Sequence, residues 1–159
     1  RDVAVTGVQS VLFRSKDVTG TPMDFRTPTE IGKKVDYNFE QIKNATGYDH
    51  NWCLNTYKNG KGDDKTVCAS LYSPKSGILL EVFTNEPGIQ VYTGNFQGTG
   101  ISCKHGIKYP KHVSVCFESQ KYPDSPTKIS QGVKDWTDAT LKPGEKYYSH
   151  LAYKFSVKK

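Results

Sequence analysis

Short strand-like runs recur about every ten residues along this chain, and glycine or proline separates them. Helix signals are scarce. Many short strands with Gly and Pro punctuation confine the chain to an all-β sandwich or barrel. Candidate strands are Val3 to Val5, Ser10 to Arg14, Ile78 to Asn85 and Ile89 to Thr93. Asn51 to Tyr57 and Thr66 to Tyr72 read as a hairpin around Asn59-Gly-Lys-Gly-Asp-Asp64. Glu86-Pro87-Gly88 reads as a type II turn, with Gly88 where φ must be positive. Thr29-Glu-Ile-Gly-Lys begins a short helical turn, capped by Thr29 or Thr27. Gly94 to Lys111 is a long irregular loop, and Tyr122 to Thr140 is loop-like. The final strand alternates most clearly. Tyr147, Leu151, Tyr153, Phe155 and Val157 face one way, and His150, Lys154, Ser156 and Lys158 the other.

At 159 residues the chain is long enough for one domain with its own core. No apolar run reaches the roughly 18 residues of a membrane span. The start, Arg1-Asp2-Val3, has no apolar leader and no initiator Met, and reads as a processed or cut end. Net charge is +6, with the bases scattered. The densest cluster, Lys104 to Lys111, has no nucleic-acid-binding pattern around it, so a mildly basic solvated surface is expected. Cys53, Cys68, Cys103 and Cys116 form no C-x-x-C pair, which argues against zinc. Three of them sit in apolar strands and read as buried thiols of a reduced, intracellular protein. The sequon Asn44-Ala-Thr46 points the other way, but such triplets are frequent by chance.

The stretch Val113-Ser-Val-Cys-Phe-Glu-Ser-Gln120 alternates. Val113, Val115 and Phe117 share one face; Ser114, Cys116, Glu118 and Gln120 share the other. Tyr122-Pro123-Asp124 then ends the strand, since proline has no N–H for the ladder. Glu118 is either a solvated edge carboxylate or one aimed into a pocket. Asp49 lies at a strand entrance, where a carboxylate is most often a turn former. Gln90 lies in a strand, most simply on its wet face. Two carboxylates and an amide, among 10 Tyr, 7 Phe and 2 Trp, suit a polyhydroxylated ligand. No phosphate-loop or nucleophile-elbow motif occurs, and the four histidines have no metal-ligand spacing.

Five ordered segments carry a resemblance. They are Gly20-Thr-Pro-Met-Asp-Phe-Arg-Thr-Pro28, Gly47-Tyr-Asp-His-Asn-Trp-Cys-Leu54 and Ser76 through Asn95. Cys116-Phe-Glu-Ser-Gln-Lys-Tyr-Pro-Asp124 follows, then Leu141-Lys-Pro-Gly-Glu-Lys-Tyr147 with Tyr153-Lys-Phe155. Together they resemble the C-terminal half of the aldose 1-epimerase (galactose mutarotase) family. The resemblance implies a large antiparallel β-sandwich, of which residues 1–159 are the C-terminal portion. It implies an isomerase that interconverts α and β anomers of aldohexoses, with no cofactor and no metal. Glu118 would be the catalytic base, while Asp49 and Gln90 would bind substrate. The family's acid is a histidine in an Asn-His-x-x-Phe-Asn segment of the N-terminal half, absent here; His50 is the first candidate if this chain supplies its own acid. Expected partners are an aldohexose and the N-terminal half or a self-associated copy, with no nucleic acid and no membrane. The cysteine positions resemble cytosolic animal members, so the expected location is cytoplasmic. A non-catalytic carbohydrate-binding sandwich and a structural or interaction protein are the alternatives.

Overall fold

The computed structural model describes residues 2–5, 9–12, 14–98, 100 and 102–158, with the strands before Lys16 described through their backbone pairing. Two five-stranded antiparallel sheets dominate. The first runs in the order β12 (Leu151–Val157), β9 (Ile78–Thr84), β8 (Ala69–Tyr72), β1 (Asp2–Val5), β4 (Thr29–Glu30). The second runs β11 (Cys116–Gln120), β10 (Gly88–Tyr92), β5 (Asp49–Cys53), β2 (Gln9–Leu12), β3 (Arg14–Asp17). A two-stranded ribbon, β6 (Tyr57–Lys58) and β7 (Lys61–Gly62), stands apart. Of the early candidates, Val3 to Val5 lies in β1, while Ser10 to Arg14 is divided between β2 and β3. Phe13, between them, lies outside the described residues.

Alternation explains the core. Trp52, Ile89, Val91 and Phe117 leave one face of the second sheet and meet Ala69 and Val82 of the first. The resembling segment Gly20 to Pro28 packs against them. Met23 and Phe25 are buried, and Phe25 lies edge-on to Tyr48 at 5.1 Å. Trp52 Nε1 donates to Met23 O at 3.1 Å, and Tyr48 Oη donates to Pro22 O at 3.0 Å. Each buried ring thus places its polar atom on a backbone carbonyl.

The structure departs from the sequence reading in five places. The hairpin proposed for Asn51 to Tyr57 and Thr66 to Tyr72 does not form: β5 belongs to the second sheet and β8 to the first. Only the small β6–β7 ribbon turns at Asn59 and Gly60. Cys53 and Cys68 are therefore not hairpin neighbours, and no disulfide joins the four cysteines. Of the three expected to be buried, Cys68 is, while Cys53 and Cys116 are half-buried; Cys103, for which no burial was expected, is exposed. Gly88 is not at positive φ but sits inside β10. The short helix α1 (Ile31–Lys34) is capped by Glu30 with no side-chain bond; Thr29 Oγ1 donates instead to Thr27 O. Finally, the stretch from Tyr122 contains helix α3 (Ser125–Ser130), with Pro126 in its first turn and Gly132 just beyond its end. Another helix, α2 (Glu40–Ala45), buries Ile42 under the core.

The three residues between β9 and β10 carry the chain from one sheet to the other. Asn85 Oδ1 accepts from His150 N at 2.7 Å, and Thr84 Oγ1 donates to His150 O at 2.8 Å. Buried Glu86 pairs with Lys121 at 2.8 Å. This joint is therefore held both at the start of β12 and just past β11.

Strands β12 and β11 are outer strands of their sheets, and a side-chain bond joins them. Register puts Tyr153 beside Val82 and Phe155 beside Leu80, on the inward face. Tyr153 Oη bridges the sheets by donating to Phe117 O at 2.7 Å. Beyond that bridge the described residues leave the face largely open: Phe155 is 68% exposed and Val157 70%. Tyr147 precedes the strand and is also exposed.

Candidate active site

Strand period carries the opposite face of the second sheet. Register sets Gln90 of β10 opposite Asn51 of β5 on one side and Glu118 of β11 on the other. Tyr92 lies opposite Asp49 and Cys116, and Gly88 opposite Cys53 and Gln120. Directly paired residues share a face. The three sequence candidates, Asp49, Gln90 and Glu118, therefore come together on three adjacent strands. The two strands bearing the carboxylates are two spacings apart, about 10 Å.

Gln90 Nε2 donates to Asp49 Oδ1 at 2.8 Å. Glu118 is exposed, and among the described residues its carboxylate makes no hydrogen bond or ion pair. Burial, and secondarily the Glu118 charge, push the Cys116 thiol above its ordinary value. Glu118 thus projects as an unpaired anion beside an amide–carboxylate pair. Tyr92 flanks them, stacked on Phe96 with ring centroids 6.4 Å apart. At the other end Tyr122 lies beside the Cys53 thiol and leans edge-on against Trp136 at 5.6 Å. Burial raises the Tyr122 phenol well above its ordinary range.

His50 does not join this face. It pairs with Val91 on the core side and is 2% exposed. Its Nδ1 accepts the Asp49 N–H at 3.0 Å, and its ring meets Trp52 edge-on at 6.1 Å. Burial lowers its pKa, with the Asp49 charge acting more weakly the other way. As an acid for Glu118's partner step it is on the wrong side of the sheet. His105, His112 and His150 lie outside the three site strands. Among the described residues no three His, Cys, Asp or Glu groups cluster as metal ligands, and no helix is long and apolar enough to cross a membrane.

Two side chains on the face went unassigned from sequence. Gln120 Nε2 donates to Asn51 Oδ1 at 3.2 Å and to Gln90 Oε1 at 3.4 Å. Both lie two residues beyond a candidate, Asn51 after Asp49 and Gln120 after Glu118, so strand period alone could have found them.

The family model for aldose 1-epimerase matches residues 2–154. The chain belongs to the aldose 1-epimerase family. Among curated relatives, galactose mutarotase from Mus musculus is 40% identical over 141 residues, 88% of this chain and 36% of that protein. Aldose 1-epimerase from Escherichia coli (strain K12) is 35% identical over 142 residues, 88% of this chain and 38% of that protein. The chain thus spans little more than a third of the length of these relatives. Among solved structures, the aldose epimerase homologue from C. elegans superposes with TM-score 0.78 at 22% identity, covering 99% of this chain and 46% of that one. Galactose 1-epimerase from Lactobacillus acidophilus gives 0.76 at 25%, covering 99% and 44%. The antiparallel sandwich expected of the family is the fold observed.

Proposed function

We propose that residues 1–159 are the C-terminal portion of an aldose 1-epimerase sandwich and carry the base side of its site. The observation that carries this is the unpaired Glu118 carboxylate, in register with Gln90 and beside the Asp49–Gln90 pair. In this reading Asp49 and Gln90 hold vicinal hydroxyls of an aldohexose. Glu118 takes the proton from the anomeric hydroxyl. The freed O–H pair forms the carbonyl, and the C1–ring-oxygen bond breaks. An acid delivers a proton to the ring oxygen as it leaves. Rotation about C1–C2 turns the other carbonyl face to the hydroxyl, and the reverse transfers close the ring. The chemistry of this portion needs carboxylates and amides only.

The site strands carry no imidazole on Glu118's face, which supports the reading that the acid comes from the N-terminal half of the longer family chain. That half, or a self-associated copy, is the partner, and the cytoplasm is the proposed location. The same missing acid favours a second reading, a carbohydrate-binding sandwich without turnover. One experiment separates them. In the protein containing the N-terminal half, polarimetry of freshly dissolved α-galactose should show faster mutarotation, with Glu118→Gln lowering kcat by about 10²-fold or more. Undiminished turnover in Glu118→Gln would remove Glu118 from the reaction. Sugar binding with no acceleration would establish the binding module instead.

A further inference from the structure

A row of polar side chains crosses the site face in one direction. Asp49, Gln90, Gln120 and Asn51 are linked by consecutive bonds of 2.8, 3.4 and 3.2 Å. An ionised carboxylate only accepts. Asp49 therefore requires the NH₂ of Gln90, which turns Gln90 Oε1 toward Gln120. Gln120 must then present its own NH₂, and that turns Asn51 Oδ1 inward. The anion at one end fixes every amide along the row. The far end bears the mark of this: Asn51 is 1% exposed, and its Nδ2 is buried without a hydrogen-bond partner among the described residues. A stranded donor is unfavourable unless something else dictates its orientation.

Gly88 makes the row possible. It lies on β10 between Gln120 and Cys53, and the absence of a side chain lets Gln120 reach Asn51 across it. A Cβ there would lie 2.5 Å from Asn51 Oδ1.

We propose that Gln120, seated on Asn51, is a positioning residue that bonds Gln90 Oε1 and so holds the Gln90 side chain against Asp49 in the orientation the carboxylate dictates. This rests on the sugar-binding roles proposed for Asp49 and Gln90. Gln120 itself touches no reacting atom. With its donor removed, Gln90 Oε1 loses its partner, and the amide is held in place by its bond to Asp49 alone. The effect belongs to holding substrate, so it falls on KM rather than kcat.

The test uses the protein containing both halves and α-galactose. Gln120→Met keeps the length and removes the donor; Gln120→Glu keeps the shape and also cannot donate. Each should raise KM by about 3–10-fold, the worth of one neutral hydrogen bond, with kcat within about twofold. Gln90→Ala should raise KM as well, and the double variant Gln120→Met with Gln90→Ala should match Gln90→Ala alone within about twofold. Thermal melting separates any folding loss, which would not produce this non-additivity. Penalties that multiply, an unchanged KM in both Gln120 variants, or a loss confined to kcat would overturn the inference while leaving the mutarotase reading intact. Wild-type protein that fails to accelerate mutarotation would overturn that reading, and this one with it.

Discussion

Asp49 and His50 are consecutive, yet β5 sends one to the polar face and the other into the core. A period of two allows no alternative. His50 therefore contributes a pH dependence of stability rather than a proton to substrate. Its folded pKa lies below the ordinary imidazole value of 6.5 because burial outweighs the Asp49 charge. Below about 6.5 the unfolded chain binds the proton before the folded one does, so stability falls as pH falls through that range. The melting temperature should drop between pH 7.5 and 5.5. His50→Asn, whose amide oxygen can still accept the Asp49 N–H, should show a shallower drop; an identical slope would rule His50 out as its source. The sequence was most legible at this scale. Alternation around Glu118 and the motif around Asp49 located the candidates. What it could not give was the amide order, which depends on neighbours from three separate strands.

Strand β10 shows why elements were less legible than residues. Glu86-Pro87-Gly88 has the composition of a tight reversal within one sheet, yet it is a passage between two. Local composition reports that the chain turns; it does not report which sheet receives it. The same limit undid the hairpin drawn from Asn51 to Tyr72, whose strands found partners far away in sequence. Helix α3 was readable in retrospect, from proline in its first turn and glycine past its end. Gly88 gives a test of the passage. At an unconstrained position Gly→Ala stabilises by about 0.4–1 kcal/mol through the unfolded state. Here the added methyl meets Asn51, so Gly88→Ala should instead destabilise by about 1–3 kcal/mol in urea unfolding. A gain in stability would mean that the Asn51 side chain is not held where it is found.

For the molecule as a whole, the uncovered inward face of β12 decides behaviour. Phe155 and Val157 belong by register to the core side but are largely uncovered by the described residues. Apolar patches next to an unpaired strand edge promote association. Residues 1–159 alone should elute as an associated species in size-exclusion chromatography with light scattering, and co-expression with the N-terminal half should give a defined one-to-one complex. A cooperatively melting monomer with full mutarotase activity would refute both this and the shared site. The final alternating run was read as having one apolar face, and its pairing with β9 puts Tyr153, Phe155 and Val157 on one side; how far that side is covered is set by packing between sheets, which alternation does not report. The joint between β9 and β10 has its own consequence. Because Asn85 and Thr84 hold His150, and Glu86 holds Lys121, neither sheet can loosen at this end without pulling on the other. The two layers therefore share one opening event, and amide protons in β9 and β10 should exchange with solvent at a common rate limit rather than sheet by sheet.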